Sequence, residues 1–414
     1  MGVVRTTDDH DPYEALRYRE YGWFLLGSLA LTLGTQIQTV ALGWQIYVLT
    51  GDPLALGFVG LSEALPFLAL TLVGGHVADV FERRRVCLTA VLPIVAGGAL
   101  LLAVNMHGAP RQVWIFYGAQ ALGGLGRAFF RPASQALSTE LIPRSAYANA
   151  ATWRSLSFHT AMVAGPALGG ALVAVSMRAA YTAEVVLLLA GFASFLFIAP
   201  RLRPTGPARD GFGKGLLEGV RFVFREKVVL GALSLDLFAV LFGGAPALLP
   251  IFARDILKVG ELGFGVLRAA PAVGSIAMSL ALAHLPPMRQ PGHKLFACVA
   301  GFGLCWIAFG FSRSFVLSLV LLVLSGALDN VSVVLRGTLV QTFTPQALMG
   351  RVAAVNSFFI GSSNELGAFE SGAAARLLGT VPSVVFGGGM TLLVVALVAR
   401  IAPALRRLTS LRPA

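Results

Sequence analysis

Along its whole length the chain alternates between long apolar runs and short polar breaks. It shows neither the two-residue alternation of a half-buried strand nor the broad polar face of a soluble helix. A helix needs about 20 mostly apolar residues to cross the hydrocarbon core of a bilayer, and about twelve runs reach that length. In the first half they cover 22–48, 54–78, 86–106, 113–137, 155–176 and 181–199, and in the second 228–251, 264–285, 295–311, 315–341, 352–372 and 381–404. Numbered in order, these are spans 1 to 12. A membrane barrel would instead show shorter segments of alternating hydrophobicity. The pattern predicts an all-α membrane protein with twelve transmembrane helices.

The longest polar stretch, 200–227, falls between spans 6 and 7 and holds Arg201, Arg203, Arg209, Lys214, Arg221, Arg225 and Lys227. It divides the chain into an N-terminal segment (1–20), a six-helix bundle (21–199), a linker (200–227), a second six-helix bundle (228–404) and a tail (405–414). Six spans on either side of a polar linker is the layout of a transporter built from parallel repeats. One weak echo fits it: Pro143, Ala151 and Ser155 recur as Pro345, Ala353 and Ser357, an offset of 202 residues.

Composition narrows the class. Of the 414 residues, 56% are hydrophobic and 13% charged, and mean hydropathy is +0.76. Soluble domains carry about 25% charged residues, so this chain cannot clothe a soluble surface. A disordered chain and a disulfide scaffold are excluded by the same arithmetic. Net charge is +12, and 28 of the 32 cationic residues are Arg, scattered among the breaks. A nucleic-acid face would need a dense basic stripe with interleaved aromatics, and none is present, so nucleic acid is not an expected partner. The cations collect in the linker, whereas 51–53 has none and the next two loops on that side carry only Arg111 and Arg178. The positive-inside rule then places both termini and the linker in the cytoplasm. Residues 1–20 are charged (Asp8, Asp9, Asp11, Arg17, Arg19) without an apolar core, and are not expected to be a signal peptide. Cys87, Cys298 and Cys305 lie in apolar runs and read as buried thiols. No residue cluster predicts a metal site.

Two stretches carry a resemblance. The break between spans 2 and 3 reads Gly75-His-Val-Ala-Asp79-Val-Phe-Glu-Arg83-Arg84-Arg85, and span 5 contains Gly165-Pro166-Ala-Leu-Gly169-Gly170. The first resembles the cytoplasmic signature of the major facilitator superfamily, and the second its antiporter signature. With the twelve spans, the resemblance covers nearly the whole chain and implies two pseudo-symmetric six-helix bundles around a central cavity. The first stretch, with Gln341-Thr-Phe-Thr-Pro345-Gln-Ala-Leu-Met-Gly350-Arg351-Val352, is most similar to the branch of enterobactin and macrolide exporters, the drug:proton antiporters of that superfamily. Val80 stands where that pattern has a basic residue and Glu82 where it has Gly. The second-half counterpart near 285–294 has no Asp at all. The resemblance implies a cytoplasmic latch in which Asp79 meets the positive N-terminal end of span 11, with Arg83 or Arg84 and Glu140 as ion-pair partners. It also implies that the Gly165–Gly170 run packs the halves together and limits leak. Small residues and a helix proline have that packing role in any membrane helix.

Charges near the bilayer centre are costly unless paired or facing water. Glu63, Arg127, Asp236, Asp329 and Glu365 fall well inside their runs. By the resemblance, spans 1, 4, 7 and 10 line the cavity, which brings Gln36 or Gln38, Arg127, Asp236 and Asp329 to it. Two roles remain open for the acids: a proton carrier during transport, since burial favours a neutral carboxyl group, or a structural partner for Arg127. Glu370 is a further candidate, Glu184 is expected near the external surface, and Phe129 and Phe238 could wall an apolar cavity. The chain has no phosphate-binding loop, no HExxH and no nucleophile elbow, so a primary pump or a membrane-embedded enzyme is not expected.

The resulting expectation is a proton-coupled antiporter that exports a small amphipathic molecule, a drug or a siderophore, by alternating access. It would act as a monomer in the bacterial inner membrane, with the proton gradient in place of any cofactor. A lipid flippase or an uncoupled facilitator is the alternative.

Overall fold

The computed structural model describes residues 11–108, 112–200, 212–243, 246–285 and 290–408, and among these it contains no strand. The first half holds α1 (Arg19–Thr50), α2 (Pro53–Val80), α3 (Arg83–Met106), α4 (Trp114–Glu140), α5 (Tyr147–Val175) and α6 (Met177–Leu196). The linker forms a helix of its own, α7 (Phe212–Arg225). The second half follows as α8 (Lys227–Gly243), the short α9 (Leu249–Ile251) with a π-helical turn at Phe252–Ile256, α10 (Gly260–His284), α11 (Pro291–Phe311), α12 (Phe315–Phe343), α13 (Met349–Leu378), α14 (Thr380–Ile401) and the short α15 (Pro403–Arg406). Among the described residues, ten helices are long and apolar enough to cross a membrane. The other two long ones, α4 and α13, carry more polar residues (Gln120, Arg127 and Arg131; Asn356, Asn364 and Glu370). They pack among the ten and complete the set of twelve. The seventh span, expected as one run, is broken near Pro246 and Pro250, since proline removes a backbone donor and crowds the preceding turn. Linker residues 201–211 and the tail from 409 onward lie outside the described residues.

Short polar signals set the turns. Gly51 ends α1 in the left-handed region (φ +61°), and Asp52 caps α2 by accepting from Leu54 N at 2.9 Å ahead of Pro53. Ser176 caps α6 through Ala179 N at 3.1 Å. Two arginines close carboxyl ends: Arg84 donates to Phe195 O and Leu196 O of α6, and Arg178 to Asn105 O of α3.

In the first half α1 packs on α5 and α6, α2 on α4, and α3 on α4 and α6; in the second, α10 packs on α12, α11 on α12 and α14, and α8 on α13 and α14. The halves meet along α2 with α13 and α5 with α10. Glycines permit the closest crossings. Gly124 lies on the backbone of Glu63 on α2, and Gly326 on that of Pro271 on α10, each so close that a Cβ would collide. Between the halves, Gly170 meets Gly265 and Gly372 meets Gly57. Gly124 and Gly326 are 202 positions apart, as are Gly170 and Gly372, the offset already seen in the sequence echo.

The first and last described residues and α7 lie at one end of the bundle, the terminal end. Tyr21 Oη donates to Ala150 O there, and Gly292 and Gly231 pack on Leu405. The opposite, distal end carries the turns at 51–52, 176 and 379.

Candidate functional site

At the distal end the halves are tied by side chains. Asp52, its Oδ1 already capping α2, takes Arg376 of α13 on Oδ2. Tyr47 of α1 donates to Asp255, and Arg254 lies over the Tyr47 ring at 5.6 Å. Trp44 stacks on Phe264 at 6.0 Å. The antiporter-like run sits just inside this gate. Gly165 packs against Gln36 and Gly169 against Ile37 and Val40, all on α1, while Gly170 meets Gly265 across the halves and Pro166 O faces the same glycine. The run therefore seats α5 on α1 with one edge and on α10 with the other.

At the terminal end the charged signature is arranged differently. Gly75 lies in the last turns of α2, one turn ahead of Asp79, and Asp79 is exposed with no ion pair among the described residues. Arg83 pairs with Glu140 at the end of α4, Arg84 caps α6, and Glu82 pairs with Arg85 at 2.5 Å. Arg351, in the first turn of α13, pairs with Glu218 of α7 rather than with Asp79. Helix α7 is held to α8 and α13 by Val223, buried among Val229, Leu233, Val352 and Val355.

Inside the first half, Arg127 bonds Glu63 at 2.6 Å, and Gln120 Nε2 donates to the same carboxylate at 3.1 Å. The arginine keeps 31% of its side chain exposed, whereas the glutamate is buried. Arg127 thus pairs within its own half and does not bridge to Asp236 or Asp329. Gln36 turns its amide to Met162 on α5, and Gln38 is buried.

Inside the second half, Asp236 on α8 pairs with Arg336 on α12, both side chains less than 10% exposed. Asp236 and Asp329 line one small cleft with Ala239, Val240, Val299, Phe302 and Ser332. Asp329 makes no hydrogen bond or ion pair among the described residues. The 202-residue offset carries Arg127 onto Asp329, so corresponding places on α4 and α12 hold opposite charges. Glu370 is half-buried on α13, and the side chain of Glu365 lies outside the described residues.

Several polar residues were not singled out by sequence reading, or were misplaced by it. Arg336, near the end of span 10, is one of them. Gln45, Asn105 and Tyr181 form a buried network: Gln45 Nε2 donates to Asn105 Oδ1 at 2.6 Å and Tyr181 Oη to Gln45 Oε1 at 2.8 Å. Glu184 is not near the surface. Carried on α6, it is fully buried against Gly34 of α1 and Gly98 of α3, and neither carboxyl oxygen has a hydrogen-bond partner among the described residues.

Comparison with known proteins covers almost the entire chain. Residues 10–412 match the family described as transmembrane secretion effector. The chain is 28% identical over 413 residues to the enterobactin exporter EntS of Shigella boydii serotype 18, covering 94% of this chain and 91% of that protein. It is 27% identical over 412 residues to EntS of Escherichia coli O1:K1, with the same coverage. Among solved structures, a POT family transporter in complex with a thioalcohol-conjugated peptide aligns with TM-score 0.76 at 12% identity, covering 94% and 96% of the two chains. A D-xylose–proton symporter aligns with TM-score 0.69 at 14% identity, covering 96% and 99%. At such identities these structures show the fold alone, which is that of major facilitator transporters.

Proposed function

We propose a function from the premise that the chain belongs to the transmembrane secretion effector family of the major facilitator superfamily: proton-coupled export of a small amphipathic molecule. Export is supported by the two EntS relatives, both named enterobactin exporters. A catecholate siderophore or an amphipathic drug is the class of cargo the reading takes. Coupling is supported chiefly by one observation, an acid within a membrane helix, Asp329, that shares a cleft with Asp236, the acid of a buried ion pair, and has no counter-ion of its own among the described residues. Such a group is costly in a membrane unless it is neutralised, and a proton is the smallest neutralising ligand. Alternating access then follows from rocking of the halves about the α2–α13 and α5–α10 crossings, with Asp52–Arg376 and Tyr47–Asp255 as the distal gate. The protein works in the bacterial inner membrane as a monomer, with its termini and α7 in the cytoplasm.

The test uses purified protein in liposomes loaded with a pH dye, to which ethidium and enterobactin are added in turn. Proton movement that depends on either compound, and that Asp329→Asn abolishes, is the expected result. Transport of either compound without proton movement would replace the antiporter with an uncoupled facilitator.

A further inference from the structure

The cluster on α8 and α12 does not balance its own charge. Asp236, Asp329 and Arg336 contribute two negative groups and one positive, beside Ala239, Val240, Val299 and Phe302, which offer no charge. On α10, Ser275 bonds to Gly326 O and Ser279 to Asn330, α11 presents Val299 and Phe302, and α14 gives Thr391 to Ala239 O. The α13 helix, whose Gly367 lies on Val240 and Leu241 of α8, carries the half-buried Glu370 one turn further on, an acid that adds no positive charge. On α4, Arg127 at the repeat-related place is already bonded to Glu63.

Geometry gives Arg336 access to both acids. It follows Asp329 by seven residues on α12, two turns and about 10.5 Å along the axis, so the two share a face. Helix side chains lean toward the N-terminus of their own helix. The long Arg336 side chain therefore leans along the face that also carries Ser332 and Asp329, while its guanidinium pairs with Asp236 across on α8.

We propose that Arg336 is a positioning residue shared by two acids: it rests on Asp236 while Asp329 holds a proton, and is drawn toward Asp329 when that proton leaves to water. With Asp329 protonated the cluster is neutral; once that proton has left to water the cluster carries one net negative charge, and the single guanidinium is drawn from Asp236 toward Asp329, leaving Asp236 ionised without its arginine. The exchange loosens the only ion pair joining α8 to α12 among the described residues. It links proton release to the packing of two helices in the second half. This rests on the proton-coupled reading above, deepens it with the residue that relays the change, and is tested without transport.

The experiment is carbodiimide labelling, which marks neutral carboxyl groups in membranes, on the full-length protein in liposomes, read by peptide mass spectrometry. In the wild type, Asp329 is expected to label at mildly acidic pH and much less at mildly alkaline pH, with Asp236 protected throughout. Asp236→Asn leaves the arginine a single acid, so labelling of Asp329 should fall about tenfold or more, the effect of an opposite charge within contact range. Arg336→Gln should expose Asp236 to the reagent and keep Asp329 labelled at both pH values, and Arg336→Lys should restore the wild-type pattern. If Asp236→Asn leaves Asp329 labelling unchanged, Arg336 is merely structural and the proposal falls. Should the labelling pattern hold while the flux assay shows no proton movement, the shared counter-ion stands and the antiporter reading fails.

Discussion

The buried charges divide by whether they have a partner. Glu184 has none among the described residues, its carboxyl group lying buried against Gly98 of α3. A buried polar group left unbonded costs about 1–3 kcal/mol. Glu184→Met, which fills much the same space without the polar atoms, should raise stability by an amount of that order, read as a higher melting temperature in detergent. A lower melting temperature would mean that the carboxyl group has a role the apolar surroundings hide. Asp236 and Arg336 present the opposite case. Removing one member of a buried pair strands the other and costs about 3–5 kcal/mol. Asp236→Leu should therefore destabilise strongly, and Asp236→Leu with Arg336→Met should recover most of the loss in the same melting assay. These differences explain what the sequence could reveal. Asp236 and Asp329 were legible because each interrupts the middle of an apolar run. Arg336 sits near the end of span 10, where the positive-inside rule already accounts for an arginine. Glu184 was misplaced because the apolar run starts at 181, whereas Ser176 caps the helix and starts it a turn earlier.

At the scale of whole helices, hydropathy located the spans because each must be apolar for about 20 residues, whatever it touches. It could not find α7, whose fourteen residues read only as a polar linker and which gains its place from Val223 on α8 and α13. It could not find the break at Pro246 and Pro250 either, since prolines also occur inside α2, α3, α4, α5 and α10 without ending them. Helix ends make a sharper test, because Asp52 does two things with its two oxygens. Asn caps a helix as well as Asp does, so Asp52→Asn removes the charge facing Arg376 and keeps the cap, whereas Asp52→Ala removes both. An exposed ion pair stabilises by about 0–1 kcal/mol, so the Asn variant should favour distal opening by up to about fivefold. The readout is labelling of a single cysteine at Trp44 by a membrane-impermeant maleimide. The Ala variant should label similarly but lose about 1 kcal/mol of stability through the missing cap. Equal labelling of wild type and Asp52→Asn would remove this pair from the gate.

Taken together, α2 and α13 make a lever whose two ends carry matching charges. They run antiparallel in a fixed register: Gly57 lies on Gly372, Phe58 on Phe369 at 5.5 Å between rings, and Phe67 on Gly361. Asp79 stands twelve residues beyond Phe67, and twelve residues before Gly361 is Met349, so the register sets Asp79 against the first turn of α13, where Arg351 lies. In this structure Asp79 has no ion pair among the described residues and Arg351 is held by Glu218, while Asp52 and Arg376 are joined at the distal end. Asp52 caps the start of α2, Asp79 lies in its last turn and both arginines are on α13, so closing one end of the lever separates the charges at the other. Two cysteine pairs test this in a variant lacking Cys87, Cys298 and Cys305, using a short thiol cross-linker. Phe58→Cys with Phe369→Cys should cross-link readily and stop transport. Ala78→Cys with Gly350→Cys should cross-link only in molecules whose distal end has opened, so that trapping the first pair suppresses the second. Glu218→Gln should raise the yield of the second pair, by up to about fivefold for an exposed ion pair, because it frees Arg351 for Asp79. If both pairs instead cross-link to completion in the same molecule, α2 and α13 are packed along their full length at once. The halves would then not rock about this contact, and alternating access would have to arise from bending of individual helices at their prolines.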